Sequence, residues 1–184
     1  MRFVQDQAEQ SVRDMLRRLA SEHGLPDVGI LSHVDYMDDG TPIALTLTID
    51  KREGTAHFDF TGTGPQVAGN CNTPRAVTTS AVLYSLRCLV RDEIPLNNGC
   101  LIPVKITIPP NTILSPSEEM AVVGGNVLTS QRITDVILYT MGAQACSMGD
   151  MSNFTFGNAS MGYCMFVSLS LSLSAAVSVS MLTV

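Results

Sequence analysis

PIALTLTIDKREGTAHFDF, residues 42–60, is the stretch that decides the fold class. In its first half Ile43, Leu45, Leu47 and Ile49 alternate with Ala44 and threonines. In its second half Ala56, Phe58 and Phe60 alternate with Thr55, His57 and Asp59. A period of two places the apolar set of each run on one face of a strand. The polar KREG between the runs, closing on Gly54, suits a hairpin turn. Two strands sharing one apolar face need a second layer to cover it.

Working upstream, Val4, Ala8, Val12, Met15, Leu16 and Leu19 recur at three and four residues, which predicts an amphipathic helix. His23-Gly24 followed by Pro26 should end it. A turn-rich stretch is expected from there through Asp38-Asp39-Gly40 to Pro42, and Arg13, Arg17 and Arg18, beside Asp14, read as a solvated helix face.

Downstream, TGTGPQVAGNCNTPR carries Gly62, Gly64, Pro65, Gly69 and Pro74 and must be a loop. A helix is expected from about Arg75 to Val90, burying Val77, Ala81, Leu83 or Tyr84, and Cys88. PVKITIP is a short strand bounded by Pro103 and Pro109. AVVGGN leads into a second long helical pattern from about Asn126 to Cys146, with Thr129 or Ser130 as cap and Ile133, Val136, Ile137 and Tyr139 as its apolar stripe. Strands and helices alternate without a βαβ rhythm. The expected class is therefore α+β, with mixed or antiparallel sheet segments packed with two or three helices in an incomplete module.

Composition narrows the function classes. The 184 residues are 45% hydrophobic, enough for one domain with a core, and only 15% are charged. A net charge of −6 argues against nucleic acid, whose phosphates demand a surplus of Lys and Arg. The five cysteines are odd in number and none has CxxC spacing, and MRFVQDQAEQ lacks an apolar signal core. Free thiols in a reducing cytosol are the expectation. His23, His33 and His57 lack ligand spacing, so no self-contained metal site is expected.

The end of the chain breaks the pattern. After Asp150 no charged residue occurs, and from Val167 the chain reads VSLSLSLSAAVSVSMLTV. A membrane span is long enough but serine-rich and without flanking Lys or Arg. A β-strand fits the strict alternation. We favour a third reading, a non-native tail, because a TC dinucleotide repeat encodes Ser-Leu-Ser-Leu in any frame and such tracts are common in introns.

AVVGGNVLTSQRITDVILYTMGAQACSMGDMSNFTFGNASMGY, from Ala121 to Tyr163, resembles the hydantoinase B module at the carboxyl-terminal side of eukaryotic 5-oxoprolinases. DYMDDGTPI (Asp35 to Ile43), FDFTGTGPQVAGNCNTPRAVTTSAVLYSLRCLV (Phe58 to Val90) and IPLNNGCLIPV (Ile94 to Val104) look like the same family in the same order. The likeness spans residues 1–163, leaving 164–184 as a non-homologous Ser/Leu-rich tail. It implies the hydrolysis of 5-oxo-L-proline to L-glutamate at the cost of ATP, with Mg²⁺ and K⁺-type ions assisting. In such families one module activates the poorly electrophilic lactam by phosphorylating its oxygen, and the hydantoinase B module works beside it. No GxxxxGK[ST] loop is present, nor the family's upstream His- and Asp-bearing segments. The chain is thus expected to carry no cofactor of its own and to be inactive alone. Its expected partners are 5-oxo-L-proline in the full-length enzyme and other copies in a homo-oligomer. The alternatives are a non-catalytic splice product that binds full-length subunits, and part of a hydantoinase or ketone carboxylase subunit.

Substrate-pocket candidates follow from residue types, and no catalytic residue can be named. Gly124, Gly125 and Asn126 open a helix whose free N–H groups suit an anion, or else make a tight turn into it. Asn70, Asn72 and Arg75 lie in or beside the glycine loop, and Arg75 can fork onto a carboxylate or sit at the surface. Asn153 and Asn158 flank NFTFGN, where they line a polar pocket or satisfy backbone at the strand ends. Asp59 is expected to be solvated.

Overall fold

A computed structural model of the chain describes residues 2–91 and 97–143, and the backbone of three further strands at 153–158, 163–168 and 178–183. Contacts divide it into two compact units, Met1–Ser147 and Met148–Val184.

The first unit runs α1 (Arg2–Glu22), β1 (Val28–Tyr36), β2 (Pro42–Asp50), β3 (Thr55–Asp59) and α2 (Arg75–Leu89). It continues through the 3-10 turn η1 (Asn98–Leu101), β4 (Val104–Thr107), the 3-10 turn η2 (Val123–Asn126) and α3 (Thr129–Thr140). The sheet is mixed, in the order β1-β2-β3-β4. β2 pairs antiparallel with β1 from Val28↔Asp50 to Tyr36↔Pro42 and with β3 from Asp50↔Thr55 to Thr46↔Asp59. β4 joins β3 in parallel, Ala56 opposite Val104 and Asp59 opposite Thr107.

The hairpin is as its sequence dictates. Ile43, Leu45, Leu47, Ile49, Phe58 and Phe60 are all buried on one face. In the turn, the Asp50 carboxylate accepts from the N–H groups of Arg52 (2.9 Å) and Glu53 (3.0 Å), an Asx turn that fixes the register. α1 and α3 cover the buried face and α2 packs on α3, which makes the unit α+β.

α1 ends in a Schellman motif: Leu25 N–H reaches Ala20 O (2.8 Å) and Gly24 N–H reaches Ser21 O (3.0 Å). The motif needs a left-handed residue, and Gly24 sits at φ 62°. The α1 arginines are not merely solvated. Arg13 and Arg17 donate to the hairpin-turn carbonyl of Glu53 (2.8 and 3.2 Å), and Arg18 donates to Leu89 O (2.9 Å) at the end of α2.

Three elements differ from the sequence reading. β1 occupies most of the stretch expected to be turns. Its alternation is inverted: Val28, Ile30, Val34 and Tyr36 face outward, while Gly29, Leu31, His33 and Asp35 face the helices. α2 buries Thr78, Ala81, Val82, Ser85 and Leu86, leaving Tyr84 and Cys88 exposed. Two polar residues sit in that buried stripe, so hydropathy pointed to the wrong side; Ser85 tolerates burial by donating to Ala81 O (2.8 Å). α3 begins at Thr129 with Leu128 as its N-cap, because the Thr129 hydroxyl is spent on Cys71 O. It closes at Thr140, with Gly142 at φ 77° just beyond.

The second unit is an antiparallel sheet of β5 (Asn153–Asn158), β6 (Tyr163–Ser168) and β7 (Ser178–Thr183). Asn153 stands opposite Ser168 and Asn158 opposite Tyr163, and Tyr163 opposite Thr183. Among the described residues, the buried apolar core lies between Ala8 and Met141. From the Ser-Leu alternation of residues 165–184 we propose that this segment has no packed role in that core. Deleting the segment is expected to leave the cooperative thermal melt of the core unchanged and to raise solubility; a clear loss of cooperativity would sink the idea. No helix among the described residues is long and apolar enough to cross a membrane.

Candidate functional site

The candidate region is built where the glycine loop after β3 meets η2 and the start of α3. The loop leaves β3 on a second carboxylate turn: Asp59 accepts from Thr61 N–H (2.9 Å) and the Thr61 hydroxyl (2.6 Å). The Thr61 hydroxyl, above all, holds the Asp59 carboxyl below its ordinary range, against a smaller opposing effect of burial. Asp59 is thus a turn-former rather than a freely solvated charge.

Asn72 organises the loop. It is fully buried, accepts from Val67 N–H (2.8 Å), and donates to Val67 O (2.8 Å), Gly69 O (3.0 Å) and Ala121 O (3.1 Å). One amide side chain thereby closes the loop on itself and ties it to the segment before η2. Beside it, Asn70 O accepts from Gly124 N–H (2.8 Å). Gly125 lies so close that a Cβ there would fall 2.1 Å from Asn72 O. The glycine pair is required by this approach of two backbones.

That placement bears on the sequence candidates. Gly124, Gly125 and Asn126 belong to a four-residue 3-10 turn rather than to the start of α3. The N–H groups of Gly124 and Gly125 are committed to Asn70 O and Val122 O. Asn70 and Asn126 are exposed on adjoining loops. Arg75, the first residue of α2, donates through Nη1 to Ile108 O (3.0 Å) and borders a concavity of about 340 Å³. Ser115, Ser117, Glu118, Met120 and Val122 line the rest of that concavity. No salt bridge engages Arg75 among the described residues, unlike Arg13, Arg17, Arg18, Arg52, Arg91 and Arg132. The structure therefore joins Asn70 to the Gly124–Asn126 turn, while Arg75 borders a concavity that reaches Val122 at the entry to that turn. Asn153 and Asn158 lie in the second unit, and their side chains fall outside the described residues.

The sequence reading missed a second polar cluster, on the seam between β1 and α3. Arg132 Nη1 donates to Asp35 (2.8 Å), and the rings of His33 and Tyr139 lie 4.0 Å apart. Burial works to raise the Asp35 pKa but is outweighed by the Arg132 hydrogen bond, the Tyr36 N–H and the Arg132 charge, so the carboxyl sits below its usual range. The Asp35 hydrogen bond in turn raises the Arg132 pKa. The signal, Asp35 within an alternating run, was there only for a reader who already had β1.

The N–H groups of Gly124 and Gly125 are both committed within the fold, so this glycine pair is not a phosphate cradle. Among the described residues, Cys71, Cys88 and Cys100 are not joined in disulfides.

A mixed sheet covered on one face by helices, with a glycine loop pinned under a glycine pair, defines an α+β module built to be stitched from distant segments. The hydantoinase B/oxoprolinase family profile matches residues 1–175. Arabidopsis thaliana 5-oxoprolinase 1 is 56% identical over 170 residues, covering 89% of this chain and 13% of that protein. The 5-oxoprolinase of Dictyostelium discoideum is 53% identical over 163 residues, with 89% and 13% covered. That of Saccharomyces cerevisiae is 50% identical over 157 residues, with 85% and 12% covered. The chain belongs to the hydantoinase B/oxoprolinase family. It spans only 12–13% of the length of these relatives. Among solved structures, the ATP-dependent caprolactamase from Pseudomonas jessenii shares its fold with a TM-score of 0.61 at 22% identity, over 77% of this chain and 24% of that one. A nucleotide-free acetone carboxylase does so with a TM-score of 0.53 at 16% identity, over 78% and 22%.

Proposed function

We propose that these residues are part of an ATP-dependent 5-oxoprolinase, a cytosolic enzyme opening 5-oxo-L-proline to L-glutamate, and that the chain alone does not turn over. The observation that carries this reading is identity of 50–56% to three proteins named 5-oxoprolinase. A lactam carbonyl is a poor electrophile and needs activation by a donor site, and Gly124 and Gly125, with their N–H groups committed within the fold, do not supply one. ATP, Mg²⁺ and any K⁺-type ion would be held by the rest of the polypeptide.

The test is glutamate formation and phosphate release at saturating ATP and Mg²⁺, with a complete 5-oxoprolinase as control. No turnover is expected, because groups that act as one unit lose most of the rate together. Turnover within about tenfold of the control, a loss of only ~1.4 kcal/mol, would defeat the reading.

Within this function, Arg75 is proposed to receive the substrate carboxylate, with exposed Asn70 and Asn126 on the adjoining loops by Gly124 and Gly125 completing a polar rim. The Ile108 carbonyl holds the guanidinium in place without neutralising it. In the complete enzyme, Arg75→Gln is expected to raise KM for 5-oxo-L-proline by about tenfold or more while leaving kcat within about threefold. Equal loss in kcat and kcat/KM, or no change in KM, would remove Arg75 from the substrate site.

A further inference from the structure

We infer that the outward face and free edge of β1 form a seat for polypeptide of the same family protein lying beyond these residues. Among the described residues of the first unit, the sheet carries α1 and α3 on one face. An antiparallel sheet stands in water on its other face when that face is polar. β2 and β3 comply, presenting Thr46, Thr48, Thr55, His57 and Asp59 there. β1 does the opposite: Val28 is 56% exposed, Ile30 63%, Val34 44% and Tyr36 57%. Ile102, 55% exposed, borders with Val28 a concavity of about 470 Å³ that also includes Thr48, Thr55 and His57.

Scattered apolar side chains need no explanation, but a row of them along an edge strand does. Proteins whose edge strands stay free blunt them with lysine, proline, a bulge or shortness. β1 has none of these: it is nine residues long, pairs with β2 without interruption, and its ionisable residues, His33 and Asp35, are turned to α3. Its exposed features are those of an interior strand.

Two occupants compete for such a seat. A second copy pairing edge to edge would bury only this strand and its flank. That is roughly a few hundred Å² per partner, short of the roughly 800 Å² of a specific interface. The curated relatives, in contrast, have about seven times as much polypeptide, since 89% of this chain covers only 13% of each. Polypeptide joined covalently reaches the strand at high effective concentration. It should bring a strand to the free edge, pairing the outer β1 amides and laying its own apolar side chains beside the exposed row.

Hydrogen exchange read by mass spectrometry tests this on two proteins: the 184-residue chain and complete Arabidopsis thaliana 5-oxoprolinase 1. The peptide aligned with Val28–Tyr36 is compared in each with the peptide aligned with Pro42–Asp50, the strand paired on both sides. In the short chain the β1 peptide should exchange at least about tenfold faster than β2 at its unpaired amides, and in the complete enzyme within about threefold of it. Fast β1 exchange in the complete enzyme overturns the inference. So does concentration-dependent protection of β1 in the short chain matching that of the complete enzyme, which would make a second copy the occupant. Should β2 itself be unprotected in the short chain, the ratio within the complete enzyme decides alone. As an independent arm, Ile30→Lys should raise the solubility of the short chain without lowering its unfolding midpoint. A fall in that midpoint would show the side chain already packed, and would count against the seat.

Discussion

Gly125→Ala is expected to destabilise the chain by about 3 kcal/mol or more, the upper end of what overpacking costs. The added methyl would lie 2.1 Å from Asn72 O and 2.8 Å from Thr73 Cα. Both are backbone atoms, and neither can rotate aside as a side-chain end would. The peptide that must yield is itself tied down, since Thr73 N–H donates to Ile113 O (2.7 Å). Urea unfolding measures the effect. Gly69→Ala in the same loop is the control, because a Cβ there meets nothing within 4 Å and φ is not in the left-handed region. That control should be neutral or stabilising by about 0.5 kcal/mol. Equal effects at both positions would show that the close approach is not a constraint.

Asn72→Ala is expected to cost about 3 kcal/mol, because it orphans the half-buried Val67 N–H and removes the donors to three carbonyls. Asn72→Asp, which alters one atom, is expected to be worse at neutral pH. It aims a carboxylate oxygen at carbonyl groups and buries a charge with no cation beside it. Burial and those carbonyls push the folded-state pKa of the new carboxyl above its unfolded value. The variant should therefore fare best below the ordinary carboxylate range, where the neutral acid retains a donor, and weaken as pH rises through the folded value. Midpoints for Asn72→Ala and Asn72→Asp at acidic and neutral pH test this. A flat difference between the two across that range would show that the position is hydrated rather than sealed.

How legible each part was depended on whether one face of an element tells the whole story. The hairpin was plain because Ile43 to Ile49 and Ala56 to Phe60 bury the apolar face that alternation selects. β1 alternates less strictly, with Ser32 on its outward side and Leu31 on its inward one, and its more apolar side is the exposed one, so pattern alone could not place it. α2 was found and misoriented, since Thr78 and Ser85 occupy the buried stripe. In the candidate region, TGTGPQVAGNCNTPR was readable as a loop from its glycines and prolines. The commitment of the Gly124 and Gly125 amides was not, because their meaning depends on which backbone lies opposite. The partners of Asn72 include Ala121, 49 residues away, and Arg132 meets Asp35 across 97. Single-sequence periodicity carries no information about such pairs.

The parallel pairing of β4 against β3 sets an order of events for the nascent chain. β1, β2 and β3 meet through short connections and can collapse as soon as they exist, whereas Ala56 waits for Val104, about fifty residues later. Closing that loop costs entropy before any contact repays it. The meander and α1 thus make a natural early nucleus, with β4 and the clasp between the glycine loop and η2 arriving late. A lesion in the hairpin should slow refolding, while one at Gly125 or Asn72 should chiefly hasten unfolding. The same residues that shape the candidate pocket would then govern how long the folded molecule lasts rather than how quickly it appears.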